Sequence, residues 1–175
     1  MNKLAILGVT FVLATPALAQ STTEKTGLNS LVGVAPKTAD FVTEAATSDM
    51  FEVESSKLAV ERSDPSTKTF AQQMISDHEK TTADLKQLVT SGKVQGSLPA
   101  GMTSSQQKKL DKLKGLNGAE FTKQYHSDQV SAHKGAVDLF KRYGRKGDNA
   151  ELKAWVARTE PALEHHLKMA QDLNK

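Results

Sequence analysis

Four residues of types that ligate metal ions lie at inward-facing positions of this sequence, one in each of four long helical patterns. They are Glu52, His78, His133 and His166. Imidazole nitrogens and carboxylate oxygens bind transition metals, and three imidazoles with one carboxylate suit a single Zn, Cu, Ni, Mn or Fe ion. The sequence therefore predicts a candidate metal site in the core of a helical domain.

Two aspartates accompany these positions. Asp49 lies one helical turn before Glu52, and Asp77 directly precedes His78. Such carboxylates hold a ligating imidazole by accepting its hydrogen bond, or serve as further ligands. Other chemistry is excluded or not indicated. The chain has no cysteine for thiol catalysis or disulfides, and Thr82 stands where an HExxH zinc motif starting at His78 needs its second histidine.

Each of the four candidate ligands belongs to a stripe with spacings of three and four residues, the pattern of helices that face a bundle core. The stripes are Phe41, Ala45, Ser48, Glu52, Ser55 and Ala59; Ala71, Met74, His78, Thr81, Leu85 and Leu88; Val130, His133, Val137 and Phe140; and Leu152, Val156, Thr159, Leu163, His166, Ala170 and Leu173. Aromatic residues are only 5% of the chain and no alternating β-branched runs occur, so the fold class is all-α.

Start and stop signals delimit the helices. We predict helices over 38–62, 65–91 and 119–143, a short helix from 104 in the connection between the second and third, and a last helix reaching almost to the C-terminus. Thr38 and Asp148 are predicted N-caps, and Gly144 is predicted to end the third long helix. Pro161 should kink the last helix just before His166.

An up-down-up-down order of the four long helices places Glu52, His78 and His133 at one level within a helical turn. By the same count, His166 lies about a turn and a half lower. Two interpretations of the four polar residues remain open. They bind one metal ion, or they form a structural hydrogen-bond network in a non-catalytic envelope or stress-related module, because buried polar groups need partners. No particular reaction is indicated.

Three parts of the chain resemble a known family. They are Phe70 with Met74–His78; Phe121 with Tyr125, Gln129, Val130 and His133; and Pro161–Leu167. They are similar to the exported ferritin-like family of unknown function, whose members are often labelled outer membrane proteins. The resemblance covers about residues 38–173 and implies a ferritin-like four-helix bundle. It also implies that Glu52, Asp77, His78, His133 and His166 are recurrent polar positions, but it implies no activity.

The sequence departs from true ferritins at the metal ligands. A di-iron carboxylate site uses a Glu-x-x-His motif on two helices. Ile75 and Leu163 occupy the glutamate positions before His78 and His166. Too few carboxylates remain for two irons, so a classical iron store is not expected.

The N-terminus predicts export. Lys3, an apolar stretch over 4–13 and the sequence Ala17-Leu18-Ala19 are typical of a signal peptide of residues 1–19, cleaved after Ala19. Residues 20–37 then form a flexible lead-in, and residues 38–175 form the bundle domain. The predicted location is the periplasm, and no transmembrane segment is expected in the mature chain.

The charge pattern says little about partners. The net charge is +3 with acidic and basic residues interspersed, which does not indicate nucleic-acid binding. Two basic clusters are predicted solvated faces that could contact an anionic envelope surface. They comprise Lys108, Lys109, Lys112 and Lys114, and Lys141, Arg142, Arg145 and Lys146.

Overall fold

The computed structural model describes Ser30 and residues 33–175, so the predicted signal peptide and most of the lead-in lie outside the described residues. The described part is all-α, with five helices and no strand. The helices are α1 (Thr38–Arg62), α2 (Pro65–Thr90), α3 (Ser104–Lys114), α4 (Gly118–Lys146) and α5 (Ala150–Leu173). None of them combines the length and the apolar character needed to cross a bilayer.

The turn between α1 and α2 is built as its sequence predicts. Asp64 is the N-cap of α2, and its carboxylate accepts hydrogen bonds from the amides of Ser66 at 3.0 Å and Thr67 at 3.1 Å. Pro65 occupies the first helical position, where a missing N–H costs nothing. This two-residue connection returns α2 along α1, and Val94 beyond its end packs in one cluster with Val42 near the start of α1.

The helix α4 runs antiparallel to α1. The rings of Phe41 and Phe140 lie 5.0 Å apart, and the hydroxyls of Ser56 and Tyr125 are hydrogen-bonded at 2.9 Å. Later residues of α1 therefore face earlier residues of α4. The predicted up-down-up-down order is wrong, because it requires these two helices to be parallel.

The connection that carries α3 explains why α4 runs antiparallel to α1. It leaves the end of α2 beside the start of α1, and it finishes at the other end of α1. There Arg62 Nη1 donates hydrogen bonds to the carbonyls of Lys114 at 3.0 Å and Leu116 at 3.2 Å. The connection thus spans the bundle before α4 begins. α4 then packs against both α1 and α5, and α2 also contacts α5.

The ends of α4 and α5 differ from prediction. α4 continues through Gly144 to Lys146. The glycine is therefore not a helix end; it lies where α4 packs closely against α5, since a Cβ there would lie 3.3 Å from Val156 Cγ1. Asn149, and not Asp148, is the N-cap of α5, and its side chain accepts from the Leu152 amide at 2.8 Å. Asp148 instead accepts hydrogen bonds from the hydroxyls of Thr38 and Tyr143.

Thr38 is likewise not a cap. Lys37 is the N-cap of α1 and makes no side-chain cap bond, while Thr38 is the first helical residue. Its hydroxyl is engaged with the Tyr143 hydroxyl and the Asp148 carboxylate. A tertiary contact has therefore taken the group that local capping would use.

The predicted stripes form the core, and most of their residues are buried. The apolar core has two clusters, one containing Leu85, Val137 and Leu163 and the other containing Met74 and Ala170. His78, His133 and His166 each lie along their helix between a member of one cluster and a member of the other. The histidines therefore form a polar layer between two apolar layers.

Gly147 offers a test of the packing at the end of α4. A Cβ at this position would lie 2.5 Å from Cε1 and 2.6 Å from the carbonyl oxygen of Tyr143, whose ring is fully buried. We expect Gly147→Ala to destabilise the protein by about 1–3 kcal/mol in urea unfolding, as overpacking does. Gly135→Ala is the control. Its Cβ would meet nothing within 4 Å, so it should stabilise α4 by up to about 1 kcal/mol. Equal stability of the two variants would contradict this.

Candidate metal centre

Three imidazoles from three helices meet in the core. His78 lies on α2, His133 on α4 and His166 on α5, and their ring centroids are 5.5–5.6 Å apart. One ring nitrogen of each lies within 4.8 Å of the corresponding nitrogens of the other two. All three residues are at most 2% exposed. We call these three residues the histidine triad.

The His78 imidazole is held from outside the triad by a carboxylate. Its Nδ1 is hydrogen-bonded to Asp49 Oδ1 at 2.8 Å. The other oxygen of Asp49 accepts from the hydroxyls of Thr81 at 2.8 Å and Thr82 at 3.1 Å. The carboxylate therefore has little freedom, and it fixes the orientation of the ring.

The other two imidazoles are held in the same way. His166 Nε2 is hydrogen-bonded to Asp77 Oδ2 at 2.9 Å, and His133 Nδ1 contacts the backbone carbonyl of Gln129 at 2.9 Å. Asp77 thus supports His166 on a neighbouring helix and not the adjacent His78. The remaining nitrogens, which are His78 Nε2, His133 Nε2 and His166 Nδ1, have no hydrogen-bond partner among the described residues. Each imidazole is oriented by one nitrogen and leaves the other free.

His166 lies at the level of the triad, closer than predicted, because α4 extends to Lys146, beyond its predicted end at Tyr143. His133 lies 13 residues before the end of α4, and His166 lies 16 residues after the start of α5. In antiparallel helices this leaves an offset of only three residues, about 4.5 Å. The predicted end at Tyr143 made the offset more than a turn. α5 also continues through Pro161 without a break in the helix.

Glu52 lies outside the triad for a related reason. Since Phe41 faces Phe140 and Ser56 faces Tyr125, the antiparallel register places Glu52 level with Gln129, one turn from His133. Asp49 lies 13 residues before the end of α1, and His78 lies 13 after the start of α2. Asp49, and not Glu52, is therefore level with His78.

Glu52 is nevertheless an unusual core residue. It is 1% exposed, and within the described residues neither of its carboxylate oxygens has a partner at hydrogen-bonding geometry, although the nearby Gln129 side chain acts to lower its pKa. Burial raises its pKa to about 7, although the positive charge of His78 opposes this rise. Close by, Gln129 Nε2 donates to Ser55 Oγ at 3.2 Å, while Gln129 Oε1 has no partner. This part of the core thus holds several oxygens that nothing in the described residues satisfies.

The surroundings shift the pKa values of the three imidazoles in different directions. Burial, together with the positive charges of His78 and His166, lowers the pKa of His133 to about 3. Burial also lowers the pKa of His166, against the effect of Asp77. For His78, burial acts in the same direction, but the hydrogen bond and charge of Asp49 outweigh it and raise the pKa. At neutral pH, His133 and His166 therefore carry free lone pairs, as metal ligands must.

Two residue groups that support the triad were not recognised from the sequence. Thr81 and Thr82 hold Asp49, and Gln129 holds His133. The position of Gln129, four residues before His133, was the available signal, because its carbonyl lies one turn away on the same helix. The remaining histidines lie elsewhere. His126 is bonded to the Thr67 hydroxyl at 2.9 Å, and His165 is exposed.

Arg142 does not belong to a solvated basic face as predicted. Its side chain is buried, where Nε donates to Asp138 Oδ2 at 2.8 Å and Nη1 donates to the carbonyl of Val34 at 2.7 Å. The guanidinium thereby ties residues before α1 to α4. Lys141 is also paired, with Glu164 at 2.5 Å.

A comparison with protein families assigns the chain to one of them. The family described as Domain of unknown function (DUF4142) matches residues 22–173, which include the triad and all of its supporting residues. The chain belongs to this family. No curated protein and no solved structure matched the chain. The family's description states no activity.

The hydrogen bond between Asp49 and His78 gives a test of the site in metal-free protein. Since Asp49 raises the pKa of His78, Asp49→Asn should lower that pKa, and NMR titration of the imidazole measures it. Asp172→Asn is the control, because Asp172 is a surface residue that pairs with Lys168 and Lys175. An unchanged His78 pKa in Asp49→Asn would contradict the assigned contact.

Proposed function

We propose that this protein binds a single transition-metal ion through His78, His133 and His166. The observation that carries the proposal is the convergence of three imidazoles, each oriented from outside and each leaving one buried nitrogen without a partner. Histidine ligands in metalloproteins are held in this manner by carboxylates and backbone carbonyls. Asp49, Asp77 and the Gln129 carbonyl have that role here.

Glu52 completes the proposed centre as a source of negative charge. It is buried one helical turn from His133 and has two unpartnered oxygens. A divalent ion at the triad would favour the ionised form of this carboxylate. Glu52 then offers the ion an oxygen ligand or balances its charge at close range.

The alternative is a structural hydrogen-bond network, which the unpartnered atoms disfavour. A network fixes packing when its members satisfy one another. Here three imidazole nitrogens and both Glu52 oxygens are unsatisfied, which is costly in a metal-free core. An ion would satisfy the three nitrogens together.

The donor set narrows the choice of metal. Imidazole suits Zn, Cu, Ni and Fe, whereas Mg and Ca prefer an all-oxygen shell. We therefore propose that the triad binds Zn²⁺ or Cu²⁺ most tightly, and that it binds Ni, Fe and Mn ions more weakly. The lack of a second carboxylate cluster favours one ion over a ferritin-type pair.

We further propose that the protein is exported and acts in the periplasm as a ferritin-like bundle. The signal-peptide pattern of residues 1–19 supports export. The second and third long helices run in the same direction because a long connection crosses the bundle between them, and this supports the ferritin-like order, since bundles of that class contain one crossover. Export would place the triad in a compartment where metal exchange is less controlled than in the cytoplasm.

Metal analysis of the chain expressed without an affinity tag tests the proposal. After removal of metal with a chelator, titration with Zn²⁺ and Cu²⁺ should reach about one ion per chain. Bound ion should also raise the free energy of unfolding, by about 3 kcal/mol at a free concentration a hundred times Kd. Less than about 0.1 ion per chain, with no change in unfolding temperature for any metal of the set, would disprove the proposal.

A further inference from the structure

A cavity leads from the surface of the bundle to the histidine triad. Its volume is about 270 Å³, and its inner wall contains His78, Asp49 and Thr159. Its outer wall contains Thr103, Gln106 and Lys109 at the start of α3. The cavity therefore runs from solvent beside α3 to His78, one of the proposed ligands.

The cavity passes between α1 and α4 at the level of the triad. Small residues of both helices line it, and in the antiparallel register Ser48 stands opposite His133 and Ala45 stands opposite Ala136. Ser48 and Ala136 are only half-buried, so the gap between the helices is not filled by side chains. Larger residues at Ala45, Ser48 or Ala136 would close it.

Two further features describe the inner end of the cavity. His78 lines it together with Asp49, and His78 is 2% exposed. Glu52 does not line the cavity. An ion at the triad would therefore have the Glu52 carboxylate and the cavity at different positions around it.

We infer that this cavity admits a small exogenous ligand, of two or three non-hydrogen atoms, to an open coordination position of the ion. The inference rests on the proposed metal binding and deepens it. If Glu52 balances the charge without ligating, three protein nitrogens leave one open position, which is the arrangement of catalytic metal sites, whereas structural sites are closed by four protein ligands. Peroxide and triatomic anions such as azide are ligands of this size.

Azide binding to the Co²⁺-loaded protein tests this inference, because visible absorption of Co²⁺ reports its ligands. Azide should change the spectrum of the wild type in a saturable way. Ser48→Leu, which places a larger side chain opposite His133, should slow azide binding at least about tenfold, equivalent to about 1.4 kcal/mol in the barrier. Its Co²⁺ content should equal that of the wild type.

Matched controls separate a blocked passage from a general effect of the substitution. Ser76→Leu makes the same change at an exposed position of α2, and its azide kinetics should equal those of the wild type. Ala136→Leu, with exposed Ala83→Leu as its control, provides a second obstruction should Ser48→Leu fail to fold.

The outcomes distinguish this inference from the proposed function. A protein that does not take up Co²⁺, Zn²⁺ or Cu²⁺ overturns both. A protein that binds metal but shows no spectral response to azide keeps the proposed function and overturns the open position. Azide binding at wild-type rates in both Ser48→Leu and Ala136→Leu would overturn the cavity as the route.

Discussion

Replacing His133 by glutamine should raise the dissociation constant for Zn²⁺ at least about a hundredfold, since loss of an outer hydrogen-bond partner alone costs 10- to 100-fold. His133 is the best-suited residue for this test. Burial lowers its pKa to about 3, so the imidazole is neutral at pH 7, and neutral glutamine replaces it without a change in charge. Isothermal titration of the chelator-treated chain with Zn²⁺ measures the effect.

The stability of the metal-free variant keeps this test interpretable. Glutamine is uncharged like the imidazole at pH 7 and keeps an N–H donor for the Gln129 carbonyl, so metal-free His133→Gln should stay folded, with a stability within about 2 kcal/mol of the wild type. The matched control is His126→Gln on the same helix, because His126 contacts Thr67 outside the triad. Tight Zn²⁺ binding by His133→Gln, or equal weakening in the control, would contradict the proposed centre.

The second prediction concerns Glu52 in metal-free protein. Burial raises its pKa from 4.5 to about 7. Below pH 4.5 the carboxyl is protonated in both the folded and unfolded states and costs nothing. As pH rises from 4.5 to 7, the unfolded state loses its proton first, so folding stability falls. Above pH 7 the full cost is present, about 3 kcal/mol at 1.36 kcal/mol per pH unit.

Glu52→Gln should remove this cost. In a chelating buffer, the variant should be more stable than the wild type by about 2–3 kcal/mol at pH 8, and the difference should disappear near pH 4. Urea unfolding at the two pH values measures it. Glu54→Gln is the control, because Glu54 is half-exposed and pairs with Lys57 at 2.7 Å. That change should alter stability by at most about 1 kcal/mol. A Glu52→Gln effect that is the same at both pH values would contradict the prediction.

His133 shapes the same curve with the opposite sign. Its folded-state pKa lies near 3, below the ordinary value of 6.5. Its contribution to stability is therefore complete above pH 6.5 and is lost as pH falls toward 3. Between pH 4.5 and 6.5 the effects of Glu52 and His133 oppose each other, so wild-type stability should be nearly flat there. Glu52→Gln should unmask a rise with pH over that interval.

The helices themselves could be predicted from local pattern. The turn at Asp64-Pro65 follows from capping chemistry that acts within four residues. The start of α3 was predicted to within one residue, but its cap was not, because Thr103 with Gln106, and not Ser104 or Ser105, forms the cap. The stripes that carry the three histidines follow from the helical repeat. These features were predictable because each depends on neighbours along the chain, and the sequence lists those neighbours directly.

The direction of α4 and the composition of the site could not be predicted in that way. Whether α4 runs parallel or antiparallel to α1 depends on the path of residues 91–117, where no local signal specifies a crossing of the bundle. That direction decides that Glu52 faces Gln129 and that Ser48 faces His133. The extension of α4 by three residues beyond its predicted end also places His166 level with the other two histidines.

The partners of each imidazole depend on tertiary contacts in the same sense. Asp49 supports His78 across two helices, and Asp77 supports His166 and not its own neighbour. Residue types and spacing thus predicted which side chains turn inward, because burial follows the helical period. Only packing decided which of them meet, because meeting depends on the relative shift and direction of separate helices, and a shift of one turn exchanges one partner for another.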